Sequence, residues 1–459
     1  MYRPTQIKAI TLEVIMTVLH EVLDTPVSTI PEFPTPKSDQ IFLRAEKLKR
    51  FSNYQCDYDF NTYKELEQRF GLEQPRGGII FGTPFKLVNF HSSCQQCLYA
   101  FEVDTYGRGC THDCVYCYAK EQLTKHGYWN RPFPMPVDVT DLWQTFYDVF
   151  ETDKPSKWRS VMEKRIPIRI GSMSDSFMAM DRKYKVTQEF LKILDHYQYP
   201  YIIFTRSDLV SKSPYLDLLN PDLCSIQMSI ASTNDELNKL LEPGTPSAKK
   251  RLEALKVLTK NGFWTTVRLN PFFPIHPDGY FTDPDFPEYK RKLKFDFSSF
   301  DMIDEIAATG TQSILAGMVR LSPSSIVQIK EACGVDLKLF FTDEVLATRG
   351  DKHFSRKEIR AYYERIQAKC VQNGLQFTTC YIGNGESQFW DDQDLWDNKK
   401  DCCNAIDRVK AFKGKSSRDI DWEIRLKHSA YKDIKPINIS NLHAPLGTNL
   451  LKLDGMINV

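Results

Sequence analysis

From residue 97 onward the chain alternates short apolar runs rich in β-branched and aromatic residues with segments of helical period, and this alternation limits the fold more than any other feature. L-Y-A-F-E-V-D-T, I-P-I-R-I (166–170), Y-P-Y-I-I-F-T, L-C-S-I-Q-M-S-I, W-T-T-V-R-L-N-P and S-I-L-A-G-M-V-R-L read as six strands. Helices are expected near 182–197, over S-A-K-K-R-L-E-A-L-K-V-L-T-K-N-G and over F-D-M-I-D-E-I-A-A-T-G. Ser247 is suited to be an N-cap, Leu252, Leu255 and Leu258 form an apolar stripe, and Gly262 ends that helix. Strands separated by helices pair in parallel, which predicts an α/β chain with a parallel barrel, complete or partial. In such barrels the chemistry sits on loops at the carboxyl ends of strands. The cysteine loop after strand one, Ser172 to Asp175, Thr205 to Ser207, Ser229, Arg268 and Asn270 all fall there.

The first of those loops carries Cys110, Cys114 and Cys117 in G-R-G-C-T-H-D-C-V-Y-C-Y. The spacing is C-x3-C-x2-C with no fourth cysteine close by, whereas structural zinc and ordinary iron–sulfur sites take four protein ligands. Three thiolates on one tight loop suit a cubane with one iron left open to a small molecule. Gly107 and Gly109 are expected to let the loop turn back. The same spacing also admits a zinc knuckle with a remote fourth ligand, or cysteines that only pack.

The loop resembles the signature of the radical S-adenosylmethionine (radical SAM) superfamily. That resemblance implies a partial (β/α)6 barrel, a 4Fe-4S cluster on Cys110, Cys114 and Cys117, and SAM chelated by the open iron. Four stretches resemble the spore photoproduct lyase-like branch, across roughly residues 98–330: the cysteine loop, I-I-F-T-R-S-D-L-V, the run Q-M-S-I-A-S-T-N-D-E-L-N-K-L-L-E-P-G-T-P-S-A-K-K-R-L-E-A-L, and V-R-L-N-P-F-F-P. By position, the resemblance places Tyr116 against the adenine of SAM and puts Arg206, Ser229 and Arg268 around its ribose, methionyl and carboxylate groups. Arg206 stands where the branch commonly has Lys, which changes the donor geometry. Tyr116 and Tyr118 match a tyrosine pair that relays a hydrogen atom in the repair enzymes. Ser172 stands where those enzymes carry a hydrogen-donating cysteine. The acidic residue that often binds the SAM amino group after strand two is absent, leaving backbone at Gly171 and Ser172, or Ser174 and Asp175.

The implied function is hydrogen abstraction from a nucleobase. The expected reaction is isomerisation or hypermodification of a modified thymine in DNA, as in phage enzymes of similar type. Lesion repair of the spore photoproduct lyase kind, a non-catalytic iron–sulfur or zinc nucleic-acid-binding protein, and the same enzyme acting on RNA or a small molecule are the alternatives. A flavodoxin or ferredoxin would supply electrons. Base flipping calls for aromatic and phosphate contacts, for which Phe272, Phe273, His276, Lys410, Lys413, Lys415, Arg418 and Arg425 are candidates.

At 459 residues the chain divides into an N-terminal accessory region (1–96), a core (97–345) and a C-terminal extension (346–459). An amphipathic helix near the N-terminus ends at the proline-rich S-T-I-P-E-F-P-T-P-K. In the extension, Ser355 and Glu358 form a capping box, followed by a helix to about 373 and a strand L-Q-F-T-T-C-Y-I-G. A net charge of +1 gives no global basic field, so nucleic-acid contact must come from a local patch. No apolar run approaches a membrane span. Twelve cysteines without a disulfide-like pattern point to a reducing cytoplasm, the host's if the chain is phage-encoded. Cys94, Cys97, Cys380, Cys402 and Cys403 admit a second iron–sulfur cluster or packed and surface thiols. Cys56, Cys224, Cys333 and Cys370 read as structural.

Overall fold

The structure, a computed structural model, describes residues 97–99, 101–107, 109–125, 134–137, 139–156, 158–275, 280–282, 292–294, 297–337, 352, 354–380 and 392–420. The expected N-terminal helix, Cys56, Cys94, His276, Arg425 and the last 39 residues (421–459) lie outside these.

Seven parallel strands form one open sheet: β1 (Glu102–Val103), β2 (Ile168–Ile170), β3 (Tyr201–Thr205), β4 (Cys224–Ser229), β5 (Trp264–Phe272), β6 (Ser313–Met318) and β7 (Gln376–Thr379), in sequence order across the sheet. The fold is thus the α/β, partial parallel barrel that the alternation predicts, with one strand more than the six of the expected core. The seventh comes from the extension, where β7 pairs Ser313↔Gln376 through Ala316↔Thr379. Short antiparallel ribbons pair Tyr106–Gly107 with Met135–Pro136 and Tyr280–Thr282 with Lys292–Lys294.

Within the described residues the expected helices form, and others that the sequence reading did not place join them. Helix α1 (Tyr118–Lys125) leaves the cysteine loop, and α2 (Val139–Phe150) packs on α3 (Val186–His196). Helix α4 (Asp235–Leu241) starts at Asn234, whose side chain accepts from the Glu236 and Leu237 amides. Helix α5 (Ala248–Lys260) starts at Ser247, which accepts from Lys250 N, and it buries Leu255 and Leu258. Helices α6 (Met302–Ala307) and α7 (Pro323–Cys333) follow. Helix α8 (Arg356–Gln372) opens with the Ser355/Glu358 capping box.

Strand register separates the sheet's two faces. Ile170, Ile203, Ile226, Val267 and Ile314 point to the helices and join the main apolar core. The alternate positions Glu102, Arg169, Phe204, Gln227, Thr266, Arg268 and Thr378 share the opposite face. That inner face is polar, and residues 396–412 cover it. Leu98, Tyr99, Ile202, Trp396, Cys402, Cys403, Ala405, Val409 and Phe412 form a second apolar cluster there. Tyr99 Oη donates to Asp401 (3.1 Å), Thr378 Oγ1 to the Cys402 carbonyl (2.7 Å), and Asn404 Nδ2 to Ser313 (2.9 Å) and Gln376 (2.8 Å).

Candidate active site

Cys110, Cys114 and Cys117 follow β1 on a loop of tight turns. Asp113 N donates to the Cys110 carbonyl, Cys117 N to the Cys114 carbonyl, and Lys120 N to Cys117 Sγ at the start of α1. Burial, with Asp175 next, pushes the Cys110 thiol up to about 12, and burial raises Cys114 well above its usual range. Such thiols keep their protons until a metal displaces them. No group of three or more described His, Cys, Asp or Glu residues is arranged to hold a single metal ion, the loop set included.

The loop is clamped from the E-P-G turn. Val115 N donates to the Leu241 carbonyl, and Gly244 N to the His112 carbonyl. A Cβ at Gly244 would land on the Thr111 carbonyl oxygen and lie 2.8 Å from His112 Cα. Gly244, more than 130 residues on from Thr111 and His112, is therefore a glycine that this loop requires. Gly107, expected to serve that purpose, has open space around it and no left-handed φ.

Glu242 is the electrostatic centre of the clamp. It pairs with Arg251 Nη2 at 2.8 Å, both side chains fully buried, and lies 3.6 Å from Arg206 Nε. It also accepts from Tyr116 Oη. Burial alone would raise its carboxyl, but Arg251 and Arg206 outweigh that and hold it below the ordinary range. Burial works against the charge of Arg206 too. Tyr116, Cys114, Glu242 and Cys117 more than offset it and keep the guanidinium protonated. Arg206 Nε makes no hydrogen bond among the described residues. Tyr116 is wedged edge-on against Phe273 (5.2 Å between centroids) and Phe297, with the Arg206 guanidinium 5.9 Å from its ring.

A second anchor joins the loops after β2 and β3. Asp175 accepts from Phe177 N (2.8 Å), Thr205 Oγ1 (2.9 and 3.0 Å) and Arg206 N (2.6 Å), and lies 3.4 Å from His112 Nδ1. Burial lowers the His112 pKa, so the ring is neutral beside its carboxylate. At Gly171, φ is +89° and a Cβ would collide with the Phe204 carbonyl. This close approach lets Ser172 sit at the strand end, where its carbonyl accepts from Tyr118 Oη at 2.7 Å. Ser172 Oγ is buried without a partner among the described residues. Asp104 accepts from Met173 N (3.2 and 3.1 Å) and Ser174 N (3.4 Å). Burial, then the Glu102 charge, pushes its pKa to about 8.

The structure thus brings Tyr116, Arg206 and the cysteine loop together, and Tyr118, Gly171 and Ser172 beside them. The Ser229 carbonyl accepts from Arg251 Nη1 (3.1 Å), and Ser229 registers with Arg268 across β4 and β5. Arg268 turns to the inner face, donating to Gln227 Oε1 (2.7 Å) and lying 4.5 Å over the Phe204 ring. Phe272 and Phe273 are core residues with no exposed surface, so neither offers a ring to a base. Lys410 pairs with Asp222 (3.1 Å) on the surface, and Lys413 is exposed. Sequence reasoning singled out the E-P-G stretch but assigned no role to Glu242, Arg251, Gly244, His112 or Asp104. The E-P-G turn with an arginine nine residues after its acid was the available signal. Among the described residues no helix is long and apolar enough to cross a membrane.

No protein-family model matches the chain. It is 29% identical over 172 residues to an uncharacterized protein of Methanocaldococcus jannaschii, covering 36% of this chain and 58% of that one. It is 28% identical over 173 residues to an uncharacterized protein of Acidianus two-tailed virus, covering 36% and 54%. It is 22% identical over 290 residues to the radical SAM Nα-GlyT isomerase of Pseudomonas phage M6, covering 61% and 54%. The chain spans a little over half the length of these relatives. Among solved structures it is similar to a spore photoproduct lyase mutant with bound AdoMet and dinucleoside spore photoproduct, with a TM-score of 0.45 and 14% identity over 61% of this chain and 76% of that one. A second spore photoproduct lyase mutant gives a TM-score of 0.46 and 13% identity over 80% and 93%.

Proposed function

We propose that this chain is a radical SAM enzyme that isomerises or otherwise hypermodifies a modified thymine in DNA. One observation carries the reading: a C-x3-C-x2-C loop at the carboxyl end of the first strand of an open parallel sheet, clamped in place by buried charges. Cys110, Cys114 and Cys117 would hold a 4Fe-4S cluster, and the protonated Arg206 beside Cys114 and Cys117 suits the negative charge of a thiolate-bound cluster. With SAM bound, that group supplies one-electron cleavage to a hydrogen-abstracting 5′-deoxyadenosyl radical.

The chain's own residues orient and enclose. Glu242 and Arg251 fix the loop, Asp175 ties the loops after β2 and β3 to it, and Arg206 Nε and Ser172 Oγ, without hydrogen-bond partners among the described residues, are polar atoms able to meet a ligand. Tyr118, nearly half exposed, donates to the Ser172 carbonyl.

Ser172 supports isomerisation over lesion reversal. A serine O–H bond is too strong to give a hydrogen atom to a carbon radical. A rearrangement needs no such donor, because the hydrogen taken from the substrate returns from 5′-deoxyadenosine with no net redox change. A flavodoxin or ferredoxin would deliver the initiating electron.

The test incubates anaerobic, dithionite-reduced protein and SAM with DNA carrying amino-acid-decorated thymidine, in 2H2O. A mass-neutral nucleoside product without deuterium is expected. Deuterium in the product, or release of thymines from spore-photoproduct DNA instead, would overturn isomerisation in favour of the lyase reaction. Colourless, zinc-containing protein without 5′-deoxyadenosine formation would overturn the enzyme reading altogether.

A further inference from the structure

Four cysteines that take no part in the loop meet on the inner face of the sheet. Cys97 precedes β1 and Cys380 follows β7, on the same side of its strand as Thr378. Cys402 and Cys403 lie on the segment that covers this face. The backbone around each is pinned. Ser417 Oγ donates to the Cys97 carbonyl (2.6 Å), Cys380 N to the Ala316 carbonyl (3.1 Å), Thr378 Oγ1 to the Cys402 carbonyl (2.7 Å), and Gln227 Nε2 to the Cys403 carbonyl (3.4 Å). The Cys380 and Cys403 thiols both act on Cys402, and Cys97 lies within electrostatic range of Cys403 and Cys380. All four thiols are free.

Cys402 and Cys403 pack among apolar side chains, but the sheet face they cover also carries polar and charged ones. Two cations share the enclosure. Arg268 acts electrostatically on Cys380, and Arg169, buried and paired with Glu102 at 2.9 Å, acts on both Cys97 and Cys380. Arg169 Nε and Thr266 Oγ1 are buried on this face with no hydrogen-bond partner among the described residues. A buried donor without a partner costs about 1–3 kcal/mol, so such donors on the same face as buried thiols suit an anionic occupant. An iron–sulfur centre on four thiolates is such an anion.

We propose that Cys97, Cys380, Cys402 and Cys403 ligate a second iron–sulfur cluster, enclosed between the inner face of the sheet and residues 396–412, with Arg169 and Arg268 as its counter-charge. This site is separate from the loop cysteines and stands whether or not the loop supports SAM cleavage.

The test uses the full chain, purified anaerobically and reconstituted with ferrous iron and sulfide. Cys110→Ala, Cys114→Ala and Cys117→Ala are combined to empty the loop. The triple variant is expected to keep about two to four irons with matching sulfide per chain, with a Mössbauer spectrum of its own. Adding Cys402→Ser and Cys403→Ser removes that iron, whereas adding Cys333→Ser leaves it. Cys380→Ser alone, at the end of an intact strand, serves if the double change unfolds the chain; it should alter the spectrum of the residual iron. A folded triple variant without iron and sulfide overturns the proposal. So does one equivalent of zinc in their place, or a Cys380–Cys402 disulfide found by alkylation and mass spectrometry.

Discussion

The molecule holds two sets of cysteines built on opposite plans. Cys110, Cys114 and Cys117 span eight residues on one loop, and distant elements are spent on holding that loop: the Gly244 turn, the Glu242–Arg251 pair and Asp175. Cys97, Cys380, Cys402 and Cys403 come from both ends of the described chain, and what gathers them is the sheet itself with the segment laid across it. The first set is a local motif supported by tertiary structure. The second exists only as tertiary structure. Disturbing the first should therefore remove chemistry from a folded protein, while disturbing the second should also loosen the fold.

The largest expected effect tests that contrast directly. Cys110→Ala, Cys114→Ala or Cys117→Ala should each reduce 5′-deoxyadenosine formation to background in an anaerobic assay while the melting temperature stays near the parent's. Cys402→Ser should leave that formation measurable and lower the melting temperature. The opposite pattern would break the comparison.

Arg251→Met tests whether the loop depends on a buried charge. It leaves Glu242 enclosed with Arg206 as the one cation paired with it among the described residues, and losing one partner of a buried pair costs about 3–5 kcal/mol. Denaturant unfolding should show that loss. Gly244→Ala comes next, at about 1–3 kcal/mol of overpacking, because its Cβ meets backbone that a side-chain rotation cannot move. Its loop should shift, so iron bound by the loop should fall more than stability does.

The smallest effect concerns Asp104. Its folded pKa, near 8, lies above the ordinary carboxylate value of 3.8, so the folded chain keeps a proton that the unfolded chain gives up. Stability from this group is therefore fully present below about pH 4 and is lost as the pH rises towards 8. Asp104→Asn should flatten that fall, raising the melting temperature at pH 8 relative to pH 5 by about 2–4 °C. An unchanged slope across a pH series of thermal melts would mean that Asp104 ionises freely in the folded chain.

Six strands, the Ser247 cap and the Ser355/Glu358 box were readable because each depends on neighbours in sequence: period-two apolar runs, a hydroxyl before a stripe, an acid three residues on. The seventh strand was readable as a strand. Its place in the same sheet was not, since pairing Ile314 with Phe377 is a choice made across 63 residues. Phe272 and Phe273 show the converse error. Aromatics after a strand invite a stacking role, but here the chain turns them into the core.

The sequence by itself determined the alternation that makes a parallel sheet and the three-cysteine loop at the end of its first strand, because both are written in residues a few positions apart. Only the tertiary structure decided that Glu242 anchors Tyr116, Arg206 and Arg251 at once, that Gly244 permits the close approach to the cysteine loop, and that four scattered cysteines share the inner face with Arg169 and Arg268. The physical reason is the same each time. A buried charge or thiol gets its properties from whatever the fold encloses with it, and no spacing along the chain records that company.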